Sequence, residues 1–392
     1  MRTFDVTERR ARLARRHYLA TEARAPHIES ATAGMLCLHA TDPATVYLSA
    51  RARVEGLTVG DVDKALYVDR SLVKHLAMRR TLFAFSREIL PVVQAGASSR
   101  VGAAESRRLV RDVERAGLFE NGERWLERAS AAALAALADG REATSSELRR
   151  SVPLLEGTVT YGAGRSWGGA APIGPRVLTT LSAKGRIVRA SNDGGWTLSR
   201  PRWTTFEAWL GSEIDEVDET EARATLVRHW LRSFGAGTLR DVQWWLGSTL
   251  GAVRRALSDV GAVEVDLHGQ PGYALADDLE RTEPVEPWAA LLPGLDPTTM
   301  GWFERDWYLG GHRAELFDST GNGGCSAWWD GRIVGGWNQS PSGEVVLQLL
   351  EKVDTDAARA LEQEAGQLTE WLSGVRVAPR FPSPLSKRIC LR

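Results

Sequence analysis

One supersecondary pattern recurs three times along this chain: helices in succession, then a strand or hairpin. In the first copy a helix runs from about Pro43 to Val54, and Leu57-Thr58-Val59-Gly60-Asp61 opens a short second one. Asp69-Arg70-Ser71 then caps a third helix to Met78, and Arg79–Phe85 reads as a strand. Three helices and a strand are the outline of a winged helix, with the third helix as its recognition element. The second copy comprises Ala131–Asp139, the capped Thr144-Ser145-Ser146-Glu147-Leu148, Val177–Lys184, and strands Arg186–Ala190 and Trp196–Ser199 around Asn192-Asp193-Gly194-Gly195. The third comprises Glu221–Phe234, Thr238–Leu246, Leu250–Val260 and the hairpin Val263–Leu275.

With 392 residues the chain exceeds one ordinary core. Acidic segments at Ser212–Glu221 and Asp277–Glu286 read as linkers. Beyond the second, strands are expected at Trp302–Leu309, Ser326–Trp329, Ile333–Asn338 and Glu344–Leu349, with Asp330-Gly331 as a tight hairpin turn. A helix over Thr355–Leu372 stops at Gly374, before Val375–Phe381. The expected fold class is therefore α+β: three tandem winged helices followed by a small antiparallel β-barrel with one helix. The divisions fall at 1–130, 131–211, 221–280 and 287–392.

The net charge of −1 hides a split, because residues 1–200 carry 31 basic against 21 acidic side chains. A basic N-terminal half is the electrostatic footprint of a DNA binder, or else plain solvated surface. No apolar run is long enough for a membrane span, and a basic helix follows the N-terminus where a secretory signal would be apolar. The three cysteines, Cys37, Cys325 and Cys390, are far apart and suit buried thiols in a reducing cytoplasm. Seven scattered histidines offer no metal-ligand spacing, so no metal or cofactor is expected. The arginine-over-lysine bias points to a high-GC bacterial source.

Leu38-His39-Ala40-Thr41-Asp42-Pro43 concentrates the chemistry. His39 and Thr41 share a face if extended, and Asp42-Pro43 starts a helix with Asp as N-cap. A polar pair before a helix N-terminus suits a water or a phosphate. His39 equally suits a buried histidine bonded to a carbonyl, Thr41 a helix-entry turn, and Asp42 a cap alone.

Three winged helices and a small barrel behind a polar-X-polar motif resemble the AlkZ/YcaQ-type winged-helix DNA glycosylases. The residues carrying the resemblance are Leu38–Pro43, Leu226-Val227-Arg228-His229-Trp230-Leu231 with Asp241-Val242-Gln243-Trp244-Trp245, Leu292-Pro293-Gly294-Leu295-Asp296-Pro297, Arg305-Asp306-Trp307-Tyr308 and Asp330–Trp337. They span nearly the whole chain. In that family a Gln-X-Gln or Gln-X-Asp pair holds the catalytic water; the matching positions here are His39 and Thr41. The resemblance implies a monofunctional, metal-independent glycosylase acting as a cytoplasmic monomer on damaged duplex DNA. Its substrates would be N-alkylated purines, including bulky guanine adducts in self-resistance to DNA-alkylating natural products. His39 would accept a water's proton or bond to the water, with Thr41 as a second acceptor and Asp42 as the other carboxylate within reach.

Arg51, Arg53, Arg79, Arg80, Thr81, Lys184, Arg186 and Arg189 are candidate phosphate contacts, each equally a solvated surface residue. Arg165 and Trp167, in the glycine-rich Tyr161–Gly169 loop, can approach a backbone or stack on a base. The Asp330-Gly331 tip is a weaker candidate for entering a groove. The paired and clustered tryptophans read mainly as packing. The alternative function is a non-catalytic winged-helix regulator or damage sensor, indifferent to changes at His39 and Thr41.

Overall fold

A computed structural model describes residues 1–161 and 168–390. After α1 (Val6–Arg16), the first unit runs α2 (Ile28–Gly34), β1 (Leu38–His39), α3 (Pro43–Arg51), α4 (Val59–Asp63), β2 (Leu72–Ala77) and β3 (Thr81–Ser86). Its strands form one antiparallel sheet in the order β1-β3-β2. Asp42 caps α3 with Pro43 in the first turn, and Thr58 and Asp61 close a capping box on α4.

The expected helix over 69–78 is instead strand β2. The preceding helix continues as a π turn over Lys64–Val68, and Arg70 then adopts the left-handed conformation (φ 56°) that ends it. Leu72–Ala77 is free to pair with β3, and that pairing overrides the cap signal at Asp69. The third helix of this unit is therefore α4 with its π turn. Arg79 and Arg80 form the hairpin tip, both left-handed, instead of following a recognition helix.

Two helices, α5 (Leu90–Val93) and α6 (Ser99–Arg115), lead to the second unit. That unit comprises α7 (Gly122–Ala135), β4 (Ala143–Thr144), α8 (Ser145–Ser151), the hairpin β5 (Thr158–Tyr161) and β6 (Gly169–Pro172), α9 (Gly174–Ala183), β7 (Ile187–Asn192) and β8 (Pro201–Thr205). The order β4-β8-β7 repeats that of the first sheet. Asn121 caps α7, so this helix starts well before the expected Ala131. The returning strand is Pro201–Thr205, because Trp196–Ser199 stays in the turn.

After α10 (Phe206–Leu210), the third unit follows expectation: α11 (Glu219–Phe234), α12 (Leu239–Leu246), α13 (Leu250–Asp259), β9 (Ala262–Asp266) and β10 (Pro271–Leu275). The second acidic segment is anchored, since Asp278 binds Arg12 and Arg16 of α1.

The C-terminal part has β11 (Ala289–Leu292), α14 (Asp306–Leu309), α15 (Arg313–Leu316), β12 (Ser326–Trp329), β13 (Arg332–Gln339), β14 (Val345–Leu349), α16 (Thr355–Leu372) and α17 (Pro384–Cys390). The four strands make one open sheet, β11-β12-β13-β14, where a closed barrel was expected. Trp302–Leu309 is no strand: Trp302 and Tyr308 are buried and pack ring on ring, which a short helix satisfies. At the Asp330-Gly331 turn both residues have positive φ, and a Cβ at Gly331 would lie 2.6 Å from Arg10 Cβ. The tip therefore packs on α1, and the groove-entering role is withdrawn.

One large core joins the first unit, the third unit and part of the C-terminal region, whereas the second unit has its own core from Leu109 to Trp203. Among the described residues, no helix is long and apolar enough to cross a membrane.

Candidate active site

His39 ends β1, held in register opposite Phe83, with its ring edge-on to that phenyl at 5.3 Å. It is only 6% exposed, and burial followed by the nearby Arg79 charge brings its pKa down to about 3. The imidazole is therefore neutral at any working pH. Its Nδ1 accepts the backbone N–H of Thr41 at 3.3 Å. That bond places the ring proton on Nε2, for which no hydrogen bond is found among the described residues. Of the two roles expected for His39, accepting a water's proton or bonding to the water, this tautomer suits the second, with Nε2–H as donor.

Thr41 is half-buried at the bend between β1 and α3, with its hydroxyl unbonded among the described residues. Both Asp42 carboxylate oxygens are used: Oδ1 accepts Ala44 N–H at 3.3 Å and Oδ2 accepts Arg380 N–H at 2.8 Å. Burial raises its pKa against these hydrogen bonds. Asp42 is accordingly the cap of α3 and the anchor for the C-terminal tail. Asp42→Ala should cost about 1 kcal/mol in urea unfolding, while Asp42→Asn, which can still cap, should cost far less. Equal losses for both would show that its charge matters more than its cap.

The expected phosphate contacts divide. Arg53 is fully buried, its guanidinium clamped on both oxygens of Asp296 at 2.7 and 2.8 Å, so it cannot reach DNA. Arg51 is held by Glu364 at 3.0 Å, joining α3 to α16. Arg79 lies 3.8 Å over the Trp244 ring, and burial and Arg305 bring its pKa to about 10; it is a packing cation that also keeps His39 neutral. These three placements correct the reading of Arg51, Arg53 and Arg79 as phosphate contacts. Arg80 is exposed and paired with Glu105 at 2.6 Å, and Thr81 sits in β3 opposite Ala77. Lys184 and Arg186 are exposed, and Arg186 faces Glu213 at 3.9 Å. Arg189 faces the motif across a small recess lined by Ala40 and Pro43. Arg165 and Trp167 lie outside the described residues.

Sequence reasoning missed Lys74, Tyr67 and Arg380, which also border the motif. No local signal marks them, because their neighbours come from distant chain segments. Among the described residues, no group of three or more His, Cys, Asp or Glu side chains is arranged to hold a metal ion.

Comparison with known proteins fits this architecture. No curated protein matches the chain. Among solved structures, Streptomyces sahachiroi DNA glycosylase AlkZ is similar in fold, with a TM-score of 0.74 at 20% identity over 96% of this chain and 99% of that one. A family model described as DNA glycosylase AlkZ-like matches residues 32–371, nearly the whole chain and including the His39–Asp42 motif. The chain belongs to the AlkZ-like DNA glycosylase family.

Proposed function

We propose that this DNA glycosylase hydrolyses the N-glycosidic bond of N-alkylated purines, bulky guanine adducts among them, and leaves an abasic site. The observation that carries the reading is the neutral His39, whose Nδ1 accepts the Thr41 N–H and whose Nε2, like the Thr41 hydroxyl, is unbonded among the described residues, just before α3. Each helix–hairpin unit is read as a winged helix, and the exposed Arg80, Lys184 and Arg186, with Arg165 and Trp167, as backbone contacts. The chain would act as a cytoplasmic monomer without a metal, in self-resistance to alkylating natural products.

Glycosidic hydrolysis passes through an oxocarbenium-like sugar that a positioned water must capture. A base alkylated at a ring nitrogen is already cationic and leaves without strong acid assistance. His39 donates Nε2–H to the water oxygen and Thr41 Oγ1 accepts a hydrogen bond from the water. Once the water's oxygen bonds to the oxocarbenium carbon, its excess proton passes to solvent and the base leaves as a neutral molecule. Neither group is a strong base, so catalysis rests on positioning and is restricted to activated leaving groups.

Single-turnover base release from duplexes carrying 7-methylguanine or a bulky guanine adduct tests this. His39→Ala should lower the rate by about 100-fold, Thr41→Ala by less, and His39→Gln should recover much of it. Full excision by His39→Ala, or no release by the wild type from either duplex, would sink the assignment.

A further inference from the structure

Between the first and second units, next to the motif, lies a recess of about 20 Å³, room for one water-sized group. Ala40 and Pro43 form one side, and Tyr67, Lys74 and Arg189 are among the residues that line the rest. Lys74 Nζ donates to Tyr67 Oη at 2.6 Å. Nearby, the Tyr47 hydroxyl donates to Asp63 Oδ1 at 2.6 Å. Lys74 thus has a phenol as its hydrogen-bond partner and no ion pair among the described residues. Arg189 stacks 4.8 Å from the Trp203 ring centre and has no hydrogen bond or ion pair among the described residues. Its charge repels Lys74, and Arg380, which binds Thr41 O, repels Arg189. The nearby acids are engaged: Glu142 by Ser191, Asp193 by Arg202, and Asp42 by Arg380 and Ala44.

Recessed cations without a counter-charge are costly unless an anion completes the site. A base or a sugar is too large for this space, but one phosphoryl oxygen fits it. We propose that the recess receives a non-bridging oxygen of a DNA backbone phosphate, with Lys74 and Arg189 as its cations and Tyr67 fixing Lys74. This rests on the DNA-glycosylase reading. A phosphate held beside Ala40 and Pro43 sets the adjoining nucleotide's sugar against His39 and Thr41, so Lys74 and Arg189 are positioning residues.

The test is equilibrium binding, by anisotropy, of a duplex with a central abasic-site analogue across a KCl series. Lys74→Met and Arg189→Met should each weaken binding by about 5- to 10-fold. The double variant should lower the slope of log K against log [KCl] by about 1, as for loss of one phosphate. Lys74→Arg should recover affinity, and thermal melts verify folding. Folded Lys74→Met with wild-type affinity and slope overturns the proposal. Competition by inorganic phosphate at constant ionic strength should vanish in Lys74→Met, because free anion and backbone phosphate share the recess; competition that persists unchanged in folded Lys74→Met also overturns it. Wild type that binds duplex but releases no base sinks the catalytic reading alone; wild type that binds no duplex sinks both.

Discussion

Arg53→Met is expected to remove about 3–5 kcal/mol of stability in urea unfolding, because it leaves Asp296 buried without its counter-charge. Both groups are inaccessible, and the pair is a fork: Nη1 and Nη2 each reach a separate Asp296 oxygen. The network continues on both sides. Ser49 Oγ donates to Asp296 at 2.6 Å, Arg53 donates to Thr298 Oγ1 at 2.8 Å, and Thr298 meets His17 Nδ1 at 2.8 Å. Thr45 Oγ1 also donates to Gly294 O, so the Leu292–Pro297 segment grips α3 at several points. Asp296→Ala should cost a similar amount, and the double variant less than the sum, since the two residues share one interaction. Base release should fall as well, because α3 carries the motif at its N-terminus. A variant of wild-type stability would show that the pair is dispensable.

This network marks the limit of what the sequence discloses. Asp42-Pro43, the hairpin turn at Asp330-Gly331 and the helix Thr355–Leu372 are local signals, and each appears where expected. The partner of Arg53 lies 243 positions away, beyond any local pattern, so a buried structural arginine looked like a DNA contact. Leu72–Ala77 was misread because Asp69 and Ser71 resemble a cap, whereas pairing with Thr81–Ser86 decides the outcome. Strand Ala289–Leu292 was missed because a short apolar run fits helix and strand alike. At the motif, the capping role of Asp42 was legible but the protonation of His39 was not. Only the Thr41 N–H bond to Nδ1 reveals His39 as a donor.

Acid should destabilise the protein well before it titrates the site. Buried His39 has its pKa brought down to about 3 by burial and then Arg79, and His75 to about 4 by burial against a bond to Gln94. Their unfolded values lie near ~6.5. Below that pH the unfolded chain binds protons that the native state refuses, so stability falls from about pH 6.5 until the folded values are reached. At pH 5 each histidine removes about 2 kcal/mol, roughly 4 kcal/mol together. His17, enclosed and also lowered, acts in the same direction. Asp42 and Asp330, both raised by burial, oppose the trend by taking up protons in the native state. They do so closer to the carboxylate range. Urea midpoints at pH 7 and pH 5 measure the effect, and His75→Gln should recover about half of the loss. Identical midpoints would exclude buried neutral histidines. In the folded enzyme His39 stays neutral throughout, so its contribution to single-turnover excision should be constant from about pH 5.5 to 8 while stability declines. A rate that falls with an apparent pKa near ~6.5 would instead mean that DNA opens the His39 pocket to water and lets the imidazole charge.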